Sequence, residues 1–446
     1  MILLHTSDWH LGRALYGRPR YAEFEAFLDW LADAIARHRV DALLVAGDVF
    51  DTSTPSNRAQ QLYYRFLCTV AASPCRHVVV IAGNHDSPTF LDAPRELLRA
   101  LHVHVVGQPG ATPADEVLQL DGADGQAELL VCAVPYLRDR DLRTAEAGES
   151  VLDKERKLID GIRVHYAAVV EAAERRRAEL GRAIPIVGMG HLFAAGGQTV
   201  EGDGVRELYV GSLAHVSTAI FPDSLDYLAL GHLHVPQQVG GRPSVRYCGS
   251  PLPMGFGEAR QQKSVCLVEL TPAEAGAPAA TAVESVASAP PAPVPAAPDT
   301  QAPQPLAPRP RLAVTTLPIP TFQRLEQLRG DWDALAQRLA QLKADAAPVW
   351  LEILYEGQAL VGDLRQRLDA EIAGTPIEIL RVKNSRVAER ALSRIDEQES
   401  LDDLDELDVF ERCLLANEVP ADQQPALRQT YREALASLHQ QDAQAQ

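Results

Sequence analysis

Five apolar runs in this 446-residue chain end alike, in one or two small residues and then in side chains that can bind a divalent ion or move a proton. Ile2-Leu3-Leu4 leads to Asp8 and His10, Leu43-Leu44-Val45-Ala46-Gly47 leads to Asp48, and Val78 through Gly83 leads to Asn84, His85 and Asp86. Ile186-Val187-Gly188-Met189-Gly190 leads to His191, and Tyr227-Leu228-Ala229-Leu230-Gly231 leads to His232 and His234. Each ending alone has an ordinary reading as a polar turn or a hydrogen-bonded structural histidine. Together they carry more weight. Polar groups closing a buried strand are costly unless partnered, and open α/β folds place ligand sites at the carboxyl ends of their strands. Five such ends would pool two aspartates, an asparagine and several histidines in one cleft.

Asp, Asn and His without Cys suit Mn, Fe, Zn or a similar divalent ion, not a thiolate structural site. A carboxylate such as Asp48 can bridge two cations about 3.5–4 Å apart, the separation two-metal hydrolysis requires. His232 and His234 share one face of an extended chain and reach neighbouring ions only if the local turn allows it. Gly83 frees the backbone for a sharp turn just before Asn84.

The elements that would hold these residues follow from periodicity. Strands are expected at Ile2 to Thr6, Ala42 to Ala46, His77 to Ala82, Ile184 to Gly188, Tyr227 to Leu230, Val245 to Cys248 and Val265 to Leu270. Apolar residues at 21, 24, 27, 28, 31 and 35 form a helical stripe over Tyr21 to His38. Further helices are expected around Arg58 to Val70, after Pro94, and over Val151 to Leu180. This alternation defines an α/β domain over residues 1–270. Residues 271–311 are dominated by alanine and proline, as in Ala289-Pro290-Pro291-Ala292-Pro293, and read as a disordered linker with little to build a core. A second small α/β unit is expected over 312–383. It would comprise a strand at Leu312 to Thr316, a helix over Gln323 to Leu342, a strand at Val349 to Tyr355, a helix around Leu360 to Ile372 and a strand at Ile377 to Val382. Over 384–446 two amphipathic helices are expected, one with Leu404, Leu407, Phe410, Leu414 and Leu415 on a face, the other with Leu427, Tyr431 and Leu435.

Composition excludes some classes. Hydrophobic content of 46% and charged content of 23% are ordinary for a soluble globular protein. No apolar stretch approaches the ~20 residues that span a bilayer, and Ile2-Leu3-Leu4 runs into polar residues too soon for a cleavable signal. The six cysteines (Cys68, Cys75, Cys132, Cys248, Cys266 and Cys413) contain no Cys-x-x-Cys pair, which fits reduced thiols in the cytoplasm. No Gly-x-x-x-x-Gly-Lys-Ser/Thr loop is present, so ATP hydrolysis by that route is not expected. The formal net charge of −18 runs against a nucleic-acid partner. However, Asp396 to Asp408 alone carries eight acids and no base, and bound divalent ions would add positive charge.

Asp8-x-His10, Gly47-Asp48, Gly83-Asn84-His85-Asp86, Gly190-His191 and Gly231-His232-x-His234 resemble the ordered signature of the calcineurin-like metallophosphoesterases. His5-Thr6-Ser7-Asp8-Trp9-His10-Leu11-Gly12, Ala46-Gly47-Asp48-Val49-Phe50-Asp51 and Tyr247-Cys248-Gly249-Ser250-Pro251 are similar to a bacterial nuclease branch of that superfamily. This resemblance covers nearly the whole chain except the Ala/Pro insertion.

It implies an α/β fold: a sandwich of two β-sheets flanked by helices, with a small α/β capping domain and C-terminal helices. It implies that Asp8, His10, Asp48 and His234 hold one ion and Asp48, Asn84, His191 and His232 the other, with manganese the metal most readily used. His85 would sit beside the scissile phosphate and stabilise or protonate the leaving oxygen, with Asp86 orienting its ring. The implied activity is exonucleolytic and endonucleolytic hydrolysis of DNA phosphodiester bonds in an ATP-regulated complex that processes double-strand breaks and hairpins. A separate coiled-coil ATPase subunit would dock on the C-terminal helices, the chain acting as a homodimer within a heterotetramer at the nucleoid. Arg381, Lys383, Arg386 and Arg390 are candidate phosphate contacts. The alternatives are a phosphatase or small-molecule phosphodiesterase on the same fold, and a non-catalytic scaffold.

Overall fold

The computed structural model describes residues 1–142, 149–194, 217–271, 310–357 and 364–384, together with isolated positions between 410 and 431. It divides into two units, Met1–Phe322 and Gln323–Gln446.

The first unit is the expected sandwich. One six-stranded sheet runs, edge to edge, Arg311–Pro318, Ser264–Thr271, Ile2–Thr6, Ala42–Ala46, His77–Ile81 and Val103–Val106. Its last four strands are parallel, so their carboxyl ends lie together. The other sheet runs Gln237–Val239, Arg242–Tyr247, Tyr227–Gly231, Ile186–His191, Ala127–Ala133 and Val117–Asp121, with its four central strands parallel. Strands buried on both faces read as continuous apolar runs, which is why Ala42–Ala46 and Tyr227–Gly231 stand out in the sequence.

Three apolar layers hold the unit together. Leu3, Leu44, Val79 and Ile81 meet Leu129, Val131, Val187 and Met189 between the sheets. Helices Tyr21–Arg37 and Asn57–Ala71 cover the outer face of the first sheet, burying Phe24, Phe27, Leu31 and Phe66. The helix Val151–Leu180 covers the second, through Ile162, Tyr166, Val169 and Ala173. That helix starts where the Ser150 side chain accepts the Asp153 amide and ends at Gly181 with φ 61°, a conformation glycine adopts without strain.

The structure moves one domain boundary. The strand expected to open the second unit, Leu312 to Thr316, is the edge strand Arg311–Pro318 of the first sheet, paired antiparallel along Ser264–Thr271 with Thr271 opposite Arg311. The Ala/Pro segment therefore interrupts a hairpin of the first unit, and residues 272–309 of it lie outside the described residues. The second unit begins at Gln323, the start of an expected helix. It opens instead with the strand Arg324–Gly330 and only then the helix Trp332–Asp345, capped by Asp331. Val349–Tyr355 is the central strand of a three-stranded parallel sheet, and its residues are buried along its whole length. The helix expected around Leu360 to Ile372 is described from Leu364 to Ile372.

Candidate metal centre

The two sheets share the ligand positions between them. Asp8 and His10, Asp48, and Asn84 through Asp86 follow three adjacent strands of the first sheet. His191 and the His232–His234 turn close two adjacent strands of the second. The centre therefore sits where the carboxyl ends of both sheets meet.

Backbone contacts set the loops before any ion is considered. Asp8 and His10 donate their amides to Gly47 and Asp48 carbonyls at 3.0 Å each. Asp48 Oδ1 accepts the His85 amide at 2.9 Å, and Asp8 Oδ1 accepts the His232 amide at 2.9 Å, the latter from the opposite sheet. Ser7 Oγ donates to Asp8 Oδ2 at 2.5 Å. Asp8, His10, Asp48 and His232 all adopt positive φ (54°, 47°, 50° and 102°), a region costly for residues with a Cβ and concentrated at functional sites. At Gly83 a Cβ would fall 2.2 Å from Asp48 Oδ1, so the Asn84 turn is open only to glycine.

Three groups of donors result among the described residues: His10, Asp51 and His85 form one, and the other two are made wholly of the expected ligands. Asp8, His10 and His234 converge in the first of these ligand groups, Asp48, His191 and His232 in the second. His10 Nε2 faces His234 Nε2 at 3.2 Å. Asn84 Oδ1 lies 3.0 Å from both His191 Nε2 and His232 Nδ1. Asp48 Oδ2 stands between the two ligand groups, 3.7 Å from His10 Nε2 and 3.3 Å from His191 Nε2. Lone pairs aimed at one another fit a shared cation, and a carboxylate oxygen between two such sets fits a bridge. The donor chemistry thus suits two divalent ions.

The outer nitrogens of His191 and His234 fix their tautomers. His191 Nδ1 donates to the Ala46 carbonyl at 2.9 Å, leaving Nε2 as donor to a metal. His234 Nδ1 faces Glu258 at 3.3 Å, and His10 Nδ1 faces Asp51 at 3.4 Å. Electrostatics agree with a site built for positive charge. Burial would raise the Asp48 carboxyl, but His191 and His10 outweigh it and hold the group well below the usual carboxylate range. Burial opposes a charge on His191 as well, yet Asp48 pushes it up to about 9. A divalent cation answers the same field. His232, lowered to about 3 by burial and then by His191, stays a neutral donor.

His85 lies beside both ligand groups, its ring 4.7 Å from that of His10. Its orienting partner differs from expectation. His85 Nδ1 donates to the Asp51 backbone carbonyl at 2.8 Å. Asp86 accepts instead from the amides of Gly83, Val49 and Phe50 at 2.9–3.1 Å, tying the Asp48 loop to the Asn84 turn. Burial and then the nearby Asp48 push its carboxyl up to about 7. Asp86 thus shapes the loops, and a backbone carbonyl aims the histidine. Sequence reasoning misses Asp51, Glu258 and Lys263 as residues in contact with the histidines of the centre. Asp51 lies inside the Gly47-Asp48-Val49-Phe50-Asp51 run, which is the signal that could have found it, whereas no spacing marks Glu258 or Lys263. Arg381 and Lys383 lie 3.5 and 3.4 Å from the buried Glu352 carboxylate, so both have a partner within their own unit. Arg386 and Arg390 lie outside the described residues.

Comparison with known proteins defines the class first. Residues 1–236 match the family model described as calcineurin-like phosphoesterase, and residues 321–418 match one described as type 5 capsule protein repressor C-terminal domain. The chain is 34% identical over 440 residues to the SbcD subunit of nuclease SbcCD from Escherichia coli (strain K12), covering 98% of each chain. It is 39% identical over 277 residues to the SbcD subunit from Rhodobacter capsulatus, covering 60% of this chain and 66% of the relative. With that of Bacillus subtilis it is 35% identical over 276 residues, covering 61% and 67%. The chain belongs to the SbcD family of calcineurin-like phosphoesterases, the nuclease subunits of SbcCD.

Proposed function

We propose that this centre hydrolyses DNA phosphodiester bonds with two manganese ions, as the nuclease half of an ATP-regulated complex that processes double-strand breaks and hairpins. By family the chain is a metal-dependent nuclease. Asp8, His10, Asp48 and His234 would hold one ion, and Asp48, Asn84, His191 and His232 the other. Bound there, the ions supply an activated water and neutralise charge developing on the phosphate.

The chain's own residues supply the rest. A carbonyl can only accept, so the bond from His85 Nδ1 to Asp51 O keeps a proton on Nδ1 and leaves Nε2 as the atom that exchanges one. Protonated at Nε2, His85 donates to the leaving oxygen. Asp86 holds the turn that presents both Asn84 and His85.

The observation that carries this reading is the pairing of two donor groups about one Asp48 carboxylate, with a tautomer-locked histidine alongside. A partner of the SbcC type, a coiled-coil ATPase, would engage the C-terminal helices, with two copies of each chain in a heterotetramer. Among the described residues of that region, Phe410 stacks on Tyr431 at 4.0 Å and Glu411 pairs with Arg428, so the two segments pack together there. No helix among the described residues is long and apolar enough to cross a membrane. Action on DNA places the complex in the cytoplasm, at the nucleoid.

Cleavage of a DNA hairpin by the purified chain with Mn²⁺, with and without the ATPase subunit, tests the proposal. Hydrolysis of small phosphate esters with no cleavage of DNA in either condition would transfer the centre to a phosphatase.

A further inference from the structure

Behind His234, on the side away from the metal groups, lies an ion pair that the proposed chemistry does not use. Glu258 is 0% exposed and Lys263 4% exposed. Glu258 ends a short 3-10 turn, Phe256–Glu258, and Lys263 immediately precedes the strand Ser264–Thr271. Glu258 Oε1 faces His234 Nδ1 at 3.3 Å. Its Oε2 accepts from Lys263 Nζ, from Ser250 Oγ at 3.3 Å and from the Met254 amide at 3.1 Å. Lys263 Nζ also lies 3.0 Å from the His234 carbonyl and from Ser250 Oγ and 3.1 Å from Gln261 Oε1, acceptors among which its remaining two protons are shared. The Ser250 amide reaches the same His234 carbonyl at 3.2 Å. His234 is thereby gripped at both its ring and its backbone.

A buried ion pair of this kind is a poor device for stability, since desolvation offsets most of the attraction. It is a good device for orientation. A carboxylate on the outer nitrogen of a metal-binding imidazole fixes the tautomer and raises the basicity of the inner nitrogen. The other group has weaker support, because the neutral Ala46 carbonyl backs His191.

We infer that Glu258, held in place by Lys263, is a positioning residue that sets His234 Nε2 as a metal donor and makes the Asp8–His10–His234 group the stronger of the two sites. This rests on the two-metal reading above. It is tested by titrating the full chain with Mn²⁺ alone, by calorimetry and by electron paramagnetic resonance.

The double variant Glu258→Gln/Lys263→Met removes both buried charges and so leaves neither unpaired. It is expected to melt close to the parent but to bind one of two ions about 10–100-fold more weakly. It should show the spectrum of an isolated ion at metal ratios where the parent shows a coupled pair. The single variant Glu258→Gln, whose amide oxygen can still accept from Lys263, is read in the same way should the double variant not fold. Two ions bound with parental affinities in a folded variant would overturn the inference, because a merely structural ion pair is fully replaced by a neutral one. A parent chain that binds no ions would instead refute the two-metal reading itself.

Discussion

Replacing Gly231 with alanine tests whether the junction of the sheets is what assembles the centre. A Cβ at Gly231 would lie 1.8 Å from the Ala46 carbonyl oxygen and 2.8 Å from His191 Nδ1. The nearer atom is backbone of the first sheet and also the acceptor that fixes His191. A rotamer change cannot relieve that clash, so the strand ends must separate by about 1 Å or more to restore ordinary contact distances. Overpacking of a closed core costs about 1–3 kcal/mol, and weakening the His191–Ala46 hydrogen bond adds about 0.5–1.5 kcal/mol. The total, about 1.5–4.5 kcal/mol, lowers the melting temperature by about 3–18 °C at the ~2–4 °C per kcal/mol of a large domain. The same separation draws His191 and His232 away from Asp48 and Asn84, so Mn²⁺ binding by calorimetry falls by more than the stability change alone accounts for. Gly125→Ala is the control. With φ 75° and no atom within 4 Å of its Cβ position, it carries only the backbone penalty of about 1–2 kcal/mol and leaves metal binding intact. A Gly231→Ala chain with parental melting and two ions at parental affinity would refute the argument.

Asn84→Ala and His85→Ala are expected to fail differently. The first loses a ligand shared by His191 and His232 and with it an ion in metal titrations, while the second keeps both ions and loses about 10²–10⁴-fold in DNA cleavage rate. Because the ligands come from both sheets, Mn²⁺ should staple them together: at a hundredfold excess over its dissociation constant each site adds about 2.7 kcal/mol, and chelation should lower the melting temperature correspondingly. Burial lowers His5 to about 3, with its ring between Tyr227 Oη and the Leu230 carbonyl. The unfolded chain therefore takes up a proton below about pH 6.5 that the folded chain refuses, so stability is full above that pH and falls by about 1.4 kcal/mol per unit as pH drops toward 3. His5→Gln should reduce the proton uptake on unfolding by about one between pH 4 and 6, and an unchanged uptake would exclude His5 as the source. A chain ended at Phe322 should keep the first sheet whole, whereas one ended at Thr271 loses the strand Arg311–Pro318 and exposes Ser264–Thr271 as a new edge, which aggregation measurements would reveal.

The sandwich and its donor residues are legible in the sequence because parallel buried strands are unbroken apolar runs, and a polar cluster just past each run is conspicuous. Other features depend on pairings that periodicity does not encode. Arg311–Pro318 has the composition of any exposed edge strand, and only its register with Ser264–Thr271 assigns it to the first unit. Arg324–Gly330 carries Arg324, Glu326 and Arg329 among its leucines and so resembles a helix in composition, but parallel pairing with Val349–Tyr355 makes it a strand. The family resemblance implies Asp86 as the partner of His85. The geometry instead follows from three amides, at 49, 50 and 83, that need an acceptor in a buried turn. Glu258 and Lys263 reach His234 across 24 and 29 residues, so no local pattern could mark them.

Strain and its compensation lie at the same place. Four of the candidate ligand residues hold positive φ, and each such residue costs on the order of 1–3 kcal/mol. Fixed contacts from more than one direction hold them there. Asp8 donates to Gly47 and accepts from His232, while Asp48 accepts from His85 and His10 through its side chain and its carbonyl. Relaxing any one ligand toward ordinary backbone geometry would break a bond to another loop. The donor atoms are therefore preorganised by mutual constraint and not by the ion, and an ion that binds need not supply the energy of bending four turns. Replacing Asp48 by asparagine leaves its Oδ1 contact to His85 possible but removes the charge that answers His191 and His10. Such a variant should keep the loop conformation, by crystallography, while losing affinity for both ions together. Loss of only one ion would show that Asp48 does not bridge.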